Sequence, residues 1–133
     1  ELYGRMVFNV LCGNSDDHAR NHAAFWDGTT LSLTPAYDIA PLMIRRDKDP
    51  VDHQAMVIVD GDRRSKLALC VKASPSFQLN AEQATAIVTK QVAVIREQLP
   101  RLCEQVNLTH VERDVLGNVM LHPSIFREWP TSA

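Results

Sequence analysis

Apolar residues at the start of the chain recur with the period of a helix. Tyr3, Met6, Val7, Val10 and Leu11 fall at i, i+3, i+4, i+7 and i+8, one stripe of a 3.6-residue repeat. Gly13 follows, a residue that readily takes the left-handed conformation ending such a helix. Residues 14–21, Asn-Ser-Asp-Asp-His-Ala-Arg-Asn, are polar apart from Ala19 and cannot pack as a core element. Residues 23–26 and 31–33 are short apolar stretches flanking Asp27-Gly28, which predicts a hairpin, expected to be buried. Pro35 ends its second strand, and Pro41 limits regular structure beyond Ile39.

From residue 44 to 66 the chain is charged and irregular, running from Arg45, Arg46, Asp47 and Lys48 to Asp60-Gly61-Asp62. Residues 56–59 and 67–71 read as short strands, and Pro75 with its flanking serines marks a loop. The last third reads as helical. Asn80 and Gln83 form a capping box, and Val88, Val92, Ile95, Leu99, Leu102 and Val106 follow at spacings of three and four. Pro100 lies inside that stripe, predicting two helices or one kinked helix, because proline removes a backbone bond and crowds the preceding turn. A second capping box, Thr109 with Glu112, opens a final helix carrying Val111, Val115, Val119 and Met120.

The fold class expected from this pattern is mainly α with a small β-hairpin (α+β). At 133 residues the chain has room for one modest domain, 1–133. Its formal charge of −2 gives no electrostatic footprint of a general nucleic-acid binder. Aromatic residues make up 6%, so aliphatic side chains must fill most of the core. Cys12, Cys70 and Cys103 are odd in number and widely spaced; they read as buried thiols in a reducing compartment, hence a cytoplasmic protein. No apolar run approaches the ~20 residues of a membrane span, and no signal peptide is legible, so no membrane association is expected. The chain begins with Glu1, which suggests a piece of a longer protein.

Chemistry concentrates in the polar loop. Asp16, Asp17, His18, Asn21 and His22 lie close together, with Asp38 beyond the hairpin. Carboxylates and a carboxamide suit a hard cation such as Mg²⁺, which takes oxygen ligands and keeps waters for phosphate substrates. The spacing Asp16-x-x-x-x-Asn21 equals that of the protein-kinase catalytic loop, where the Asp accepts the substrate hydroxyl proton and the Asn binds metal. A second Asp past a short hairpin completes that scheme, and Asp38 stands there. Read more plainly, Asp and Asn also cap loops by bonding their own backbone. Asp17 reads as solvent-exposed, His18 as a brace whose ring bonds backbone or a carboxylate, and His22 as a surface or core-edge residue.

Residues 5–21, Arg-Met-Val-Phe-Asn-Val-Leu-Cys-Gly-Asn-Ser-Asp-Asp-His-Ala-Arg-Asn, resemble the catalytic segment of HipA-type serine/threonine kinases, the toxins of a bacterial toxin–antitoxin system. Residues 33–39, Leu-Thr-Pro-Ala-Tyr-Asp-Ile, resemble the metal-binding segment of that family, and the likeness continues more weakly to about residue 122. The resemblance implies the C-terminal lobe of a protein-kinase-like fold: catalytic and metal-binding segments over 5–41, an irregular segment over 42–79 and a helical part over 80–122. It also implies Asp16 as catalytic base, Asn21 and Asp38 as Mg²⁺ ligands, and Arg20 near the transferring phosphate. ATP and Mg²⁺ would be the cofactors and a protein Ser or Thr the substrate. A HipB-like DNA-binding antitoxin would be the partner, with operator DNA touched only through that complex.

The departure from the family is that the sequence holds no G-x-G-x-x-G and no G-x-x-x-x-G-K string. The N-terminal lobe that cradles ATP is therefore expected to be absent, and the 133 residues alone to be inactive. Two other classes fit parts of the pattern. Asp16, Asp17, His18 and Asp38 fit a metal-dependent phosphoesterase, although such sites usually want several His ligands. A non-catalytic lobe kept as a binding module for an antitoxin-like partner is the other.

Overall fold

In the computed structural model, which describes residues 1–42 and 53–129, the opening apolar stripe forms helix α1, Leu2–Cys12. Tyr3, Val7, Val10 and Leu11 of that stripe are buried. The hairpin follows as β1, Ala24–Trp26, antiparallel to β2, Leu31–Leu33, with Ala24 opposite Leu33 and Trp26 opposite Leu31. Asp27 caps its turn, accepting from the amides of Thr29 and Thr30 at 2.8 and 2.7 Å. The expected burial of this hairpin is corrected: Phe25, Trp26 and Leu31 are all more than 60% exposed, at 64%, 62% and 67%.

Both central strand expectations are overturned as well. Residues 56–59 form an irregular run with an isolated bridge between Val59 and Asp62. Residues 67–71 lie within a helix, α2, Leu67–Lys72. Short apolar runs carry no period that separates strand from helix. Here Leu67 and Cys70, one helical turn apart, are both fully buried among α1 and the third helix, and that packing decides the outcome. The loop expected around Pro75 is a 3-10 turn, Ser74–Phe77. Residues 45–48 of the irregular segment lie outside the described residues.

Helix α3, Ala81–Gln105, starts on the predicted box: Asn80 Oδ1 accepts from the Gln83 amide at 2.8 Å and Gln83 Oε1 from the Asn80 amide at 3.0 Å. It continues through Pro100 as one element. Pro100 and Arg96, whose carbonyl loses its partner, are both exposed, so water can satisfy that carbonyl. Val88, Val92 and Ile95 of its stripe are buried, but Leu102 and Val106 are exposed. Helix α4, His110–Gly117, opens on the Thr109–Glu112 box and stops before Val119. Val111 and Val115 are exposed, whereas Val119 is buried against Gly13 at the end of α1.

The core is a single cluster shared by α1, α2, α3 and Ile125, with Tyr3 edge-on to Phe77 at 5.4 Å. Lys66, buried at the start of α2, pairs with Glu128 and fastens the chain's far end to the core. All three cysteines are buried and unpaired, as the spacing suggested. Among the described residues no helix is long and apolar enough to cross a membrane.

Candidate active site

The polar loop starts where α1 is forced to stop. Gly13 takes φ 74, its amide bonds the Val10 carbonyl at 3.4 Å, and the Asn14 amide bonds the Asn9 carbonyl at 2.9 Å. This pair of bonds is a Schellman ending, which turns the backbone out of the helix. Asn9 is a polar residue buried on the core side of α1, and its Oδ1 accepts from Asn14 Nδ2 at 2.9 Å. Asn14 Nδ2 also reaches the Asp38 carbonyl at 3.4 Å. A polar ladder thus runs out of the core towards the segment after the hairpin.

That segment is latched to the loop at two further places. Tyr37 Oη donates to the Arg20 carbonyl at 2.8 Å. Asn21 Nδ2 donates to Asp38 Oδ2 at 2.5 Å, across 17 residues of sequence. Asp38 itself sits at φ 56, a conformation uncommon outside glycine and best tolerated by Asn and Asp. Its carbonyl is turned to Asn14 and its carboxylate to Asn21, so both ends of the residue are held. Asn21 is buried and Asp38 exposed, which puts their contact at the floor of an open site.

Each residue singled out in the sequence can now be placed. Asp16 is exposed and makes no hydrogen bond among the described residues, leaving its carboxylate open to a ligand. Arg20 is exposed on the same loop, in the 3-10 turn Ala19–Asn21. His18 is tied in through its backbone: its amide donates to Asn21 Oδ1 at 3.3 Å, while its buried ring Nδ1 meets no hydrogen-bond partner among the described residues. Asp17, read as solvent-exposed, is instead 4% exposed and bonded to His22 Nε2 at 2.7 Å. That pair staples the back of the loop, so its two ends are fixed from behind while Asp16 faces out. The spacing of five between Asp17 and His22 was the available signal, and the same spacing joins Asn9 to Asn14.

Chemically, a carboxamide and a carboxylate stand side by side at Asn21 and Asp38, residue types that suit a small hard cation, although Nδ2 of Asn21 faces Asp38 and its Oδ1 accepts from the His18 amide. The Asn21 N–H donor occupies the place beside Asp38 where a cation's charge would act. Among the described residues no group of three or more His, Cys, Asp or Glu stands close enough together to hold a metal. Cys12, behind the loop, is buried, and burial holds its thiol above the ordinary thiol value, the Asp17 charge adding to the rise against two opposing hydrogen bonds.

These features define a class: a mainly helical lobe with an outward carboxylate on a rigid loop and an acid–amide pair latched across a hairpin. Residues 1–99 match the HipA-like C-terminal domain family, and the chain belongs to that family. Its fold is similar to that of a solved chain from the Shewanella oneidensis MR-1 toxin–antitoxin complex of HipA, HipB and operator DNA. The TM-score is 0.66 and the identity 20%, over 95% of this chain and 30% of that one. The chain therefore spans less than a third of the length of that solved relative. No curated protein sequence matches it.

Proposed function

We propose that the chain is the C-terminal catalytic lobe, a single domain over 1–133, of a HipA-like serine/threonine protein kinase toxin. One observation carries this reading. Asn21 and Asp38, far apart in sequence, meet at 2.5 Å, while Asp16 on the same loop stays exposed and makes no hydrogen bond among the described residues. A base free to meet an incoming hydroxyl, beside a carboxamide and a carboxylate of the types that hold a cation, is what in-line phosphoryl transfer asks of this half of an enzyme. Family membership and the shared fold support it.

In this reading Asp16 orients the acceptor Ser or Thr hydroxyl and takes its proton. Asn21 and Asp38 hold Mg²⁺, which neutralises phosphate charge when ATP is bound. Arg20 lies near the transferring phosphate, and His18 braces the loop. An N-terminal lobe would supply the phosphate-covering loop and strand lysine, which are not in these 133 residues. A HipB-like antitoxin would be the partner, operator DNA would be met through it, and the compartment would be the cytoplasm.

Three variants in the complete protein test the roles. Asp16→Asn should lower peptide phosphorylation by about 10²–10⁴-fold while largely sparing Mg-ATP affinity, because a general base acts mainly in the transition state. Asp38→Asn should damage nucleotide affinity and transfer together. His18→Ala should do less than either. Equal loss of nucleotide affinity in Asp16→Asn and Asp38→Asn would undo the base assignment. Metal-dependent phosphoester hydrolysis that disappears with His18 would overturn the kinase reading.

A further inference from the structure

One charged side chain in the body of the lobe has no part in the proposed chemistry. Arg5 lies in the first turns of α1, and its side chain is 11% exposed. Its Nη2 donates to the carbonyl of Thr34, in the segment beyond the hairpin, and to the exposed carboxylate of Glu1. Nη1 is buried and meets no partner among the described residues. A buried guanidinium with an unmet donor is a costly way to fill a helix position, and an aliphatic side chain would pack there at less cost. What the arginine adds is its hold on Thr34.

Thr34 is where the chain leaves the hairpin, and its amide closes the base by bonding the Ala23 carbonyl at 2.9 Å. Residues 35–40, Asp38 among them, are exposed, so packing does little to hold them. The far end of this segment is fixed at Gly13, whose carbonyl accepts from the Leu42 amide at 3.1 Å. From Arg5 to Gly13 is about 12 Å along a helix, whereas the chain from Thr34 to Leu42 could extend over about 26–29 Å. The segment is therefore slack between its anchors. It also borders an open cavity of about 790 Å³, walled by Pro35, Ala36 and Ile39, by Phe8 of α1 and by Ile87 and Val94 of α3. Neither tension nor close packing fixes Asp38; the polar contacts along the segment do.

We infer that Arg5 is a positioning residue: by holding the Thr34 carbonyl to α1 it sets where the segment leaves the hairpin, and so brings Asp38 onto Asn21. The inference rests on the kinase reading for what Asp38 does there, and on the geometry alone for its placement.

The test reads the Asn21–Asp38 contact directly. In the ¹⁵N-labelled 133-residue chain the Asn21 side-chain amide reports its bond to Asp38, and Asp38→Ala gives the signal with that bond gone. Arg5→Met keeps an unbranched side chain and removes the donors. It should move the Asn21 signal towards its position in Asp38→Ala, while the core amides of Val7, Val10 and Leu11 stay dispersed as in the parent. Glu1→Gln should leave the Asn21 signal in place, because the Glu1 side chain is 64% exposed and such a pair is well screened. In the complete protein Arg5→Met should weaken apparent Mg-ATP affinity by about 10–100-fold, the usual effect of removing a group that orients a metal ligand. In an Asp38→Asn background the same change should cost no more than about twofold, since a residue acting through Asp38 has nothing left to position.

The inference is overturned by an Asn21 signal unmoved in Arg5→Met, by an equal shift in Glu1→Gln, or by full additivity of Arg5→Met with Asp38→Asn. Where Arg5→Met gives no dispersed spectrum, Arg5→Gln is read in its place. Loss of the fold in both makes Arg5 a residue of the core and overturns the positioning role as well. The kinase reading fails separately: a complete protein that transfers no phosphate removes the reaction, and the Asn21 signal still decides the placement of Asp38.

Discussion

Alanine at position 13 probes the joint from which the candidate site hangs. Gly13 lies at φ 74, where any Cβ crowds the following carbonyl at a cost of about 1–2 kcal/mol. A Cβ built there would stand 2.5 Å from Cγ1 of Val119 and 3.1 Å from the Val119 carbonyl oxygen. Carbon atoms rest at about 3.5–4.0 Å, so Val119 must move. It is buried and β-branched, with little rotamer freedom to move into, and overpacking of this kind costs about 1–3 kcal/mol. The two effects sum to about 2–5 kcal/mol, against a total stability of about 5–15 kcal/mol for an ordinary domain. In urea, at about 1–3 kcal/mol per molar, the unfolding midpoint should fall on the order of 1–2 M.

A double-mutant cycle separates the two causes. In a Val119→Ala background the clashing methyl is gone, and the cost of Gly13→Ala should fall towards the conformational part, about 1–2 kcal/mol, plus what the approach to the Val119 carbonyl still adds. A cost below about 0.5 kcal/mol in the parent chain would refute the strained-ending argument, that being the range of neutral surface changes. An equal cost in both backgrounds would refute the contact with Val119 and leave only the backbone effect.

Other expectations follow from the same interactions. Asn14→Ala strands the buried Oδ1 of Asn9 and should destabilise the chain by about 1–3 kcal/mol in the same urea assay, whereas Asn9→Ala with Asn14→Ala together should cost less than the two singly added. Burial pushes the Cys70 thiol up to about 12, and Tyr3 and Cys12 are also raised. Stability should therefore be whole below the unfolded thiol value, about 8.5, and be lost as pH climbs from there through 12; Cys70→Ala should flatten that fall in melting temperature. The native chain should also resist thiol reagents at neutral pH, and rapid labelling would contradict the buried positions of its cysteines. With no G-x-G-x-x-G or G-x-x-x-x-G-K string in its sequence, the 133-residue chain should bind Mg-ATP more weakly than roughly 1 mM by calorimetry; low-micromolar affinity would contradict the proposed division of labour between lobes.

The elements legible in the sequence are those fixed by local chemistry. The α1 stripe, the glycine that ends it, both capping boxes and the hairpin turn each follow from a few adjacent residues and their backbone preferences. The errors arise where distant packing decides. Residues 67–71 are helical because Leu67 and Cys70 fill a slot between α1 and α3, which no window of five residues can show. Asp17 looks like a loop carboxylate until His22 folds back to meet it, and Asn9 looks misplaced in a helix until Asn14 and Asp38 are seen beside it. At the site, types and spacing marked Asp16, Asn21 and Asp38. The two polar pairs that hold the loop from behind went unmarked, since each pairing depends on how the loop closes.

That closure explains how a short polar loop is held in place. Its root receives backbone bonds from parts of the chain remote in sequence: the Leu42 amide on the Gly13 carbonyl at 3.1 Å, the Leu121 amide on the Leu11 carbonyl at 2.8 Å, and the Ala55 amide on the Ser15 carbonyl. Val119 packs on Gly13 between them. The last helical segment, which bears no candidate residue, thus reaches the site through one glycine. Fixing the loop before any ligand arrives lowers the ordering cost that binding would otherwise carry, the usual value of a preorganised site. It also accounts for burying three asparagines, Asn9, Asn14 and Asn21, where apolar residues would pack with less at stake. Each gives up some core stability to set the direction in which Asp38 points, while Asp16, held by none of them, keeps its carboxylate exposed.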